Sequence, residues 1–197
     1  MNRIQKLALT AVMAALCYVA FTFLQIKIPT PAGYTSFHLG NVFCVLAALL
    51  IDGVSGGMAG AIGMGIGDLF DPAYVITAPK TIILKFLIGL ITGTVAHNIF
   101  DINDLEGKKL YRAAFISSAA GMVFNIGGEP LMSYFYYDVL LSNSDKALSY
   151  LTGAKFITTS VNAVLTIIIA TALYVPLAKR LKIYLEKKKE KRSCERS

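Results

Sequence analysis

The sequence predicts an all-α integral membrane protein of six transmembrane helices with both termini on the cytoplasmic side. Three observations carry this. Hydrophobic residues make up 55% of the 197 positions, mean hydropathy is +0.60 and only 16% are charged. A soluble domain of this length cannot hide that much apolar surface. The apolar residues also fall in blocks near spanning length. Finally, with the N-terminus inside, fourteen Lys and Arg fall on the inner side and four outside, as the positive-inside rule requires.

The first span is Leu7–Leu24. Arg3 and Lys6 precede it as in a signal peptide, but no A-x-A-like cleavage site follows, so it is read as a span. Ala8, Ala11, Ala14 and Ala15 give it a small-residue face. Such a face serves packing within the bundle or docking to another membrane protein. Residues Gln25–Phe37 are expected to be a loop, since Pro29 and Pro31 stop a helix. Lys27, Tyr34, Thr35 and Ser36 make it a candidate lid.

The second span, His38–Ile51, opens on His38 with Asn41 one turn in. Asp52-Gly53 is a turn, and the third span runs Gly56–Leu69. Both are short for a bilayer, so they pack inside the bundle or cross a thinned membrane. Gly56, Gly60, Gly63 and Gly67 share one helix face in the third span. That face is expected to draw a neighbour close, the fourth span in particular. Asp68 and Asp71 close the segment.

The fourth span starts at Pro79, a good first-turn residue, and continues to Phe100. Thr81, Lys85, Gly89, Thr92 and Ala96 lie on one face, which should turn inward. Lys85 sits about 9 Å below the span's end at ~1.5 Å per residue. A charge at that depth is a functional-site hypothesis.

Asp101–Arg112 is a charged loop, and the fifth span is Ala113–Tyr134. Gly127-Gly128-Glu129-Pro130 should kink or break it. Residues Tyr134 to Tyr137 form an interfacial aromatic cluster. Asp138–Gly153 is a polar loop, and the sixth span is Ala154–Leu177, with Lys155, Thr158, Thr159 and Asn162 in its first turns. Residues 1–178 therefore form one membrane domain and 179–197 a basic cytoplasmic tail. That tail suits anionic lipid headgroups rather than nucleic acid.

By depth, His38, Asn41, Asp68, Lys85, Glu129, Thr159 and Asn162 all fall in the outer half of the membrane. This predicts an outward-facing pocket capped by Gln25–Phe37 and the aromatic cluster. A purely structural pairing of Lys85 with Glu129 or Asp68 is the plain alternative. Signatures of chemistry are missing: there is no H-E-x-x-H, no G-x-S-x-G and no Walker A. Cys17, Cys44 and Cys194 have no metal or disulfide spacing and are read as packing residues. No enzyme, metal or cofactor is expected.

His38-Leu39-Gly40-Asn41, the glycine-rich Gly56–Asp68, and Ala78-Pro79-Lys80-Thr81 followed by Lys85, Gly89 and Gly93 resemble the substrate-binding S components of energy-coupling factor (ECF) vitamin transporters. The riboflavin, pyridoxine and hydroxymethylpyrimidine branch is the most similar. The resemblance covers Phe37–Gly93 and extends more loosely to Ser133-Tyr134-Phe135, Thr159 and Asn162. It implies a subunit that binds a vitamin-like ligand from outside. It further implies docking to a transmembrane coupling protein (the T component) and two cytoplasmic ATPases. Asn41, Asp68, Lys85, Glu129, Tyr134, Thr159, Asn162 and His38 would line or shape the pocket, and Ala11 and Ala15 would serve docking. This sequence departs from the family pattern at Asn41, where Asp is usual, at Lys80, where a small residue is usual, and at Thr159 and Asn162, where Asn and Gln are common in relatives. The rival readings are a membrane-embedded enzyme built on Asp68 and Lys85, and a stand-alone transporter or channel.

Overall fold

A computed structural model describes residues 1–31, 33–141 and 145–194, with side chains left undescribed at 138–147, 182 and 184–194. Six α-helices follow one another as α1 (Arg3–Thr22), α2 (Gly40–Leu50), α3 (Gly53–Leu69), α4 (Ala78–Thr94), α5 (Gly107–Leu141) and α6 (Asp145–Cys194). Between α1 and α2 lies a two-stranded antiparallel hairpin, β1 (Gln25–Thr30) and β2 (Gly33–His38).

Local chemistry explains the boundaries. Asn2 caps α1 in a reciprocal pair with Gln5. The Asp52 carboxylate accepts from Ser55 N–H at 2.8 Å and starts α3. Pro79 sits in the first turn of α4. That helix ends in a π turn over Val95–Ile99. There the His97 ring bonds the Ala48 carbonyl at 2.9 Å and ties α4 to α2.

Three expectations need correction. The segment Gln25–Phe37 is not a loop but a hairpin pairing Gln25 with His38 and Thr30 with Gly33. Pro29 is tolerated because β1 is an edge strand. His38 therefore ends β2 rather than opening a helix, and α2 begins at Gly40. Pro130 does not break α5, whose helical backbone runs from Gly107 to Leu141. A single proline removes one helical hydrogen bond. Here the helix around it is anchored sideways through Glu129 and Ser133. The expected polar loop 138–153 is helical up to Leu141 and again from Asp145. Its residues 142–144 lie outside the described ones, as does the end of the basic tail and the side chain of Cys194.

Helices α1, α4 with its flanking turns, and α6 are each long and apolar enough to cross a membrane. The shorter α2 is buried along nearly its whole length. It is enclosed by α1, α3, α4 and α6. Cys17 and Cys44 are free, buried and part of the core.

Glycine sets the spacing around α3, and more than one of its faces is involved. Gly56 and Gly60 meet Ala48 and Cys44 of α2. Gly63 and Gly67 meet α1 at Ala14, Cys17 and Phe21. The expected glycine face thus seats α1 and α2. A second set, Gly53 and Gly57, meets Gly93 and Gly89 of α4 backbone to backbone. Helices in lipid gain close van der Waals packing this way. Gly60 joins the two interfaces, because a side chain there would lie 3.4 Å from the Lys85 Cβ.

Candidate functional site

The face of α4 bearing Thr81, Lys85, Gly89, Thr92 and Ala96 is buried, and Ile82 and Ile83 point outward. The 3.6-residue period thus carries Lys85 into the bundle. There it meets polar groups from α2, α3, α5, α6 and β2, while α1 contributes only Phe21. Together they line a cavity of about 50 Å³.

Most of the sequence-predicted residues arrive at this one place. His38, Asn41, Asp68, Lys85, Glu129, Thr159 and Asn162 all line the cavity. Tyr134 does not: it is 38% exposed and packs edge-on against Phe135. Ala11 and Ala15 lie elsewhere, along an apolar groove between α1 and α3 of about 670 Å³.

The ionic centre is a shared carboxylate. Glu129 of α5 takes both Lys80 of α4 and Lys155 of α6 on its Oε1, the latter at 3.1 Å. Ser133, one turn further along α5, accepts from Lys80 Nζ at 3.0 Å and donates to the same Oε1 at 3.3 Å. Lys80 and Lys155 are only 2% and 5% exposed. Charges so deep must be paired. Lys80 and Lys155 carry roles that the site prediction did not give them. The signal for Lys155 was available, since it precedes Thr159 by four residues and Asn162 by seven on one helix face.

Lys85 is different. It is 4% exposed, yet no ion pair within 4 Å or hydrogen bond holds its ammonium among the described residues. Around it, buried polar atoms lack partners: His38 Nδ1, both amide atoms of Asn41, Asp68 Oδ1 and Asn125 Oδ1. Buried polar groups are nearly always satisfied, and each exception costs free energy. With Tyr74 Oη, six of the twelve such atoms among the described residues line this one cavity.

The hairpin covers this cavity. Asn162 Nδ2 donates to Ser36 O at 3.0 Å, and its Oδ1 accepts from His38 N–H at 3.1 Å. Thr35 and Thr158 share a hydroxyl hydrogen bond of 2.6 Å. On the other side Lys27 pairs with Asp71 at 2.5 Å and lies 5.6 Å from the Tyr74 ring centroid. Two sites on the bundle therefore hold the hairpin down.

Comparison with known proteins identifies the family of the chain. The family of the ECF-type riboflavin transporter S component matches residues 1–179. The chain belongs to this family. It is a membrane transport subunit of the substrate-binding kind, not an enzyme. A Pyrococcus woesei protein described as an uncharacterized protein in a gap 3′ region is 26% identical over 119 residues, 60% of this chain and 73% of that one. The fold is also that of a solved structure described as "Structure and mechanism of the S component of a bacterial ECF transporter". That structure has TM-score 0.56 and 19% identity, covering 92% of this chain and 99% of its own.

Proposed function

We propose that this S component captures a vitamin-like micronutrient from the outer side of the membrane in the cavity around Lys85. All six helices then span the bilayer with both termini in the cytoplasm, in a plasma membrane. Release inward follows docking to a transmembrane coupling protein driven by two ATPases. The observation that carries this reading is the convergence of unpartnered buried polar atoms, on His38, Asn41, Asp68 and Asn125, around one cavity. A ligand with both donors and acceptors offsets their desolvation cost.

The roles divide by geometry. Lys85, Asn41, Asp68, Asn125 and His38 face the ligand with unused hydrogen-bonding capacity. Glu129, Lys80 and Lys155 form the wall that holds α4, α5 and α6 at fixed distance. Thr35, Thr158 and Asn162 hold the hairpin shut. A cavity of about 50 Å³ has room for waters only. Entry of a vitamin-sized molecule therefore requires the hairpin to lift and the cavity to widen, which makes the hairpin the lid.

The groove of Ala11 and Ala15 suits a helix of the coupling protein, because small residues let a partner backbone come close. Purified chain in detergent should bind its ligand without ATP. Ala11→Leu with Ala15→Leu should leave that binding in place while abolishing uptake in cells that carry the ATPases. Ligand binding that requires ATP, or uptake that survives without the ATPases, would overturn the reading.

A further inference from the structure

The cavity walls carry three lysines, Lys80, Lys85 and Lys155, against two carboxylates, Asp68 and Glu129. There is no arginine among the lining residues. The site thus carries one excess positive charge with histidine neutral. The distribution of that charge is uneven. Lys80 and Lys155 both spend themselves on one oxygen of Glu129. Lys85 keeps its ammonium N–H donors free of any carboxylate within 4 Å among the described residues. Asp68 likewise forms no salt bridge there, and its Oδ1 has no donor.

A buried ammonium that has neither a counter-ion nor a hydrogen-bond acceptor is costly in an apolar bundle. A bound anion would offset that cost with charge-assisted hydrogen bonds, the strong class. Lys85 is also placed for this. Its stem lies against Gly60, where no side chain shields it, and Asn41 one helix away offers both of its amide atoms unpaired.

Building on the capture reading, we propose that the cargo is an anionic micronutrient, with a carboxylate or phosphate seated on Lys85 and its polar edge read by Asn41 and Asn125. An acid group distinguishes this cargo from a neutral vitamin of similar shape. It also assigns Lys85 to the ligand and Lys80 to the wall, although both are buried lysines on α4.

Matched pairs that differ in charge test this. Purified full-length chain in detergent is titrated with nicotinate against nicotinamide, orotate against uracil, and riboflavin 5′-phosphate against riboflavin, read by calorimetry. Small molecules carried through purification are extracted and weighed by mass spectrometry. The expected result is that an acid binds at least ~10-fold more tightly than its neutral partner, about 1.4 kcal/mol. In Lys85→Met the acid-to-neutral ratio should fall toward one, and in Lys85→Arg it should stay above one. A carboxylate pair that responds while the phosphate pair does not identifies the acid as a carboxylate, and the reverse a phosphate. A neutral member that binds as tightly as its acid, or a neutral co-purified molecule, overturns the anion proposal and leaves capture intact. A co-purified acid supports it even where no panel member binds. An absence of binding by every member together with an empty extract overturns both.

Discussion

Asn162 of α6 holds His38 of β2 by its main chain, accepting from the His38 N–H at 3.1 Å while its own Nδ2 donates to Ser36 O at 3.0 Å. One amide side chain thus takes the place of a neighbouring strand for the edge of the hairpin. This spends the donor and acceptor of Asn162 on the lid rather than on the ligand.

Removal of that amide should loosen the hairpin without removing a ligand contact. Two hydrogen bonds of ~0.5–1.5 kcal/mol each are lost in Asn162→Ala. The opening equilibrium of β2 should then shift by about tenfold or more. Hydrogen–deuterium exchange over Gly33–His38 reads this directly. Protection as strong in Asn162→Ala as in the parent would show that the hairpin is held by other contacts.

Glu129 is the member of the lysine cluster whose loss should cost most. Glu129→Gln strands Lys80 and Lys155, both buried, without their shared counter-charge. Breaking a buried pair in this way costs about 3–5 kcal/mol. Thermal denaturation in detergent should show a large drop in Tm. A second substitution, Lys155→Met, removes one of the stranded charges and should recover part of the loss. A Glu129→Gln protein as stable as its parent would show that water, not Glu129, satisfies the lysines.

A pH signature is expected at the opposite end of the bundle. Asp52, in the turn between α2 and α3, is partly buried, which raises its pKa. The hydrogen bond from Lys6 and the Ser55 N–H outweigh this, and its pKa lies below the ordinary 3.8. A depressed carboxylate pKa stabilises the fold above the unfolded value, and that stabilisation fades as pH falls through the folded value. The stability of the parent should therefore decline below about pH 4. In Asp52→Asn this part of the decline should be missing. Unfolding in detergent followed between pH 6 and pH 3 separates the two, and parallel curves would remove Asp52 from the account.

The helices and much of the site were legible in the sequence because both depend on period. Thr81, Lys85, Gly89, Thr92 and Ala96 repeat at helical spacing and are buried as that spacing requires. Intramembrane charge marked Lys85 and Glu129, and the structure sets both on one cavity. The hairpin was not legible, although Ile26 and Ile28 alternate with polar residues. Pro29 and Pro31 concealed it, since proline disqualifies a central strand but not an edge. The division of labour between Lys80 and Lys85 was also hidden. Both lie on α4, and only the position of Glu129 across the bundle decides which is paired. Tyr134 was drawn into the site by the family resemblance, yet it is exposed and outside the cavity lining.

The meeting of Gly57 and Gly89 gives the last prediction. At Gly89 an added Cβ would collide with the backbone of Gly56 and Gly57, and at Gly57 it would lie 2.6 Å from the Phe86 carbonyl oxygen. These obstacles are main chain, so no rotamer change relieves them. Gly89→Ala should force α3 and α4 apart at a cost of about 1–3 kcal/mol. Separation should also shift Lys85, one turn away on the same face, relative to Gly60 and Asn41. The effect should therefore show twice, as a lower Tm in detergent and as weaker binding of whichever small molecule co-purifies with the parent. Gly127, with nothing within 4 Å of an added Cβ, is the internal control. Gly127→Ala should be neutral or slightly stabilising, because alanine favours helix. If Gly89→Ala behaves like Gly127→Ala, the helices are not packed backbone to backbone at this point, and another contact must hold α4 against α3.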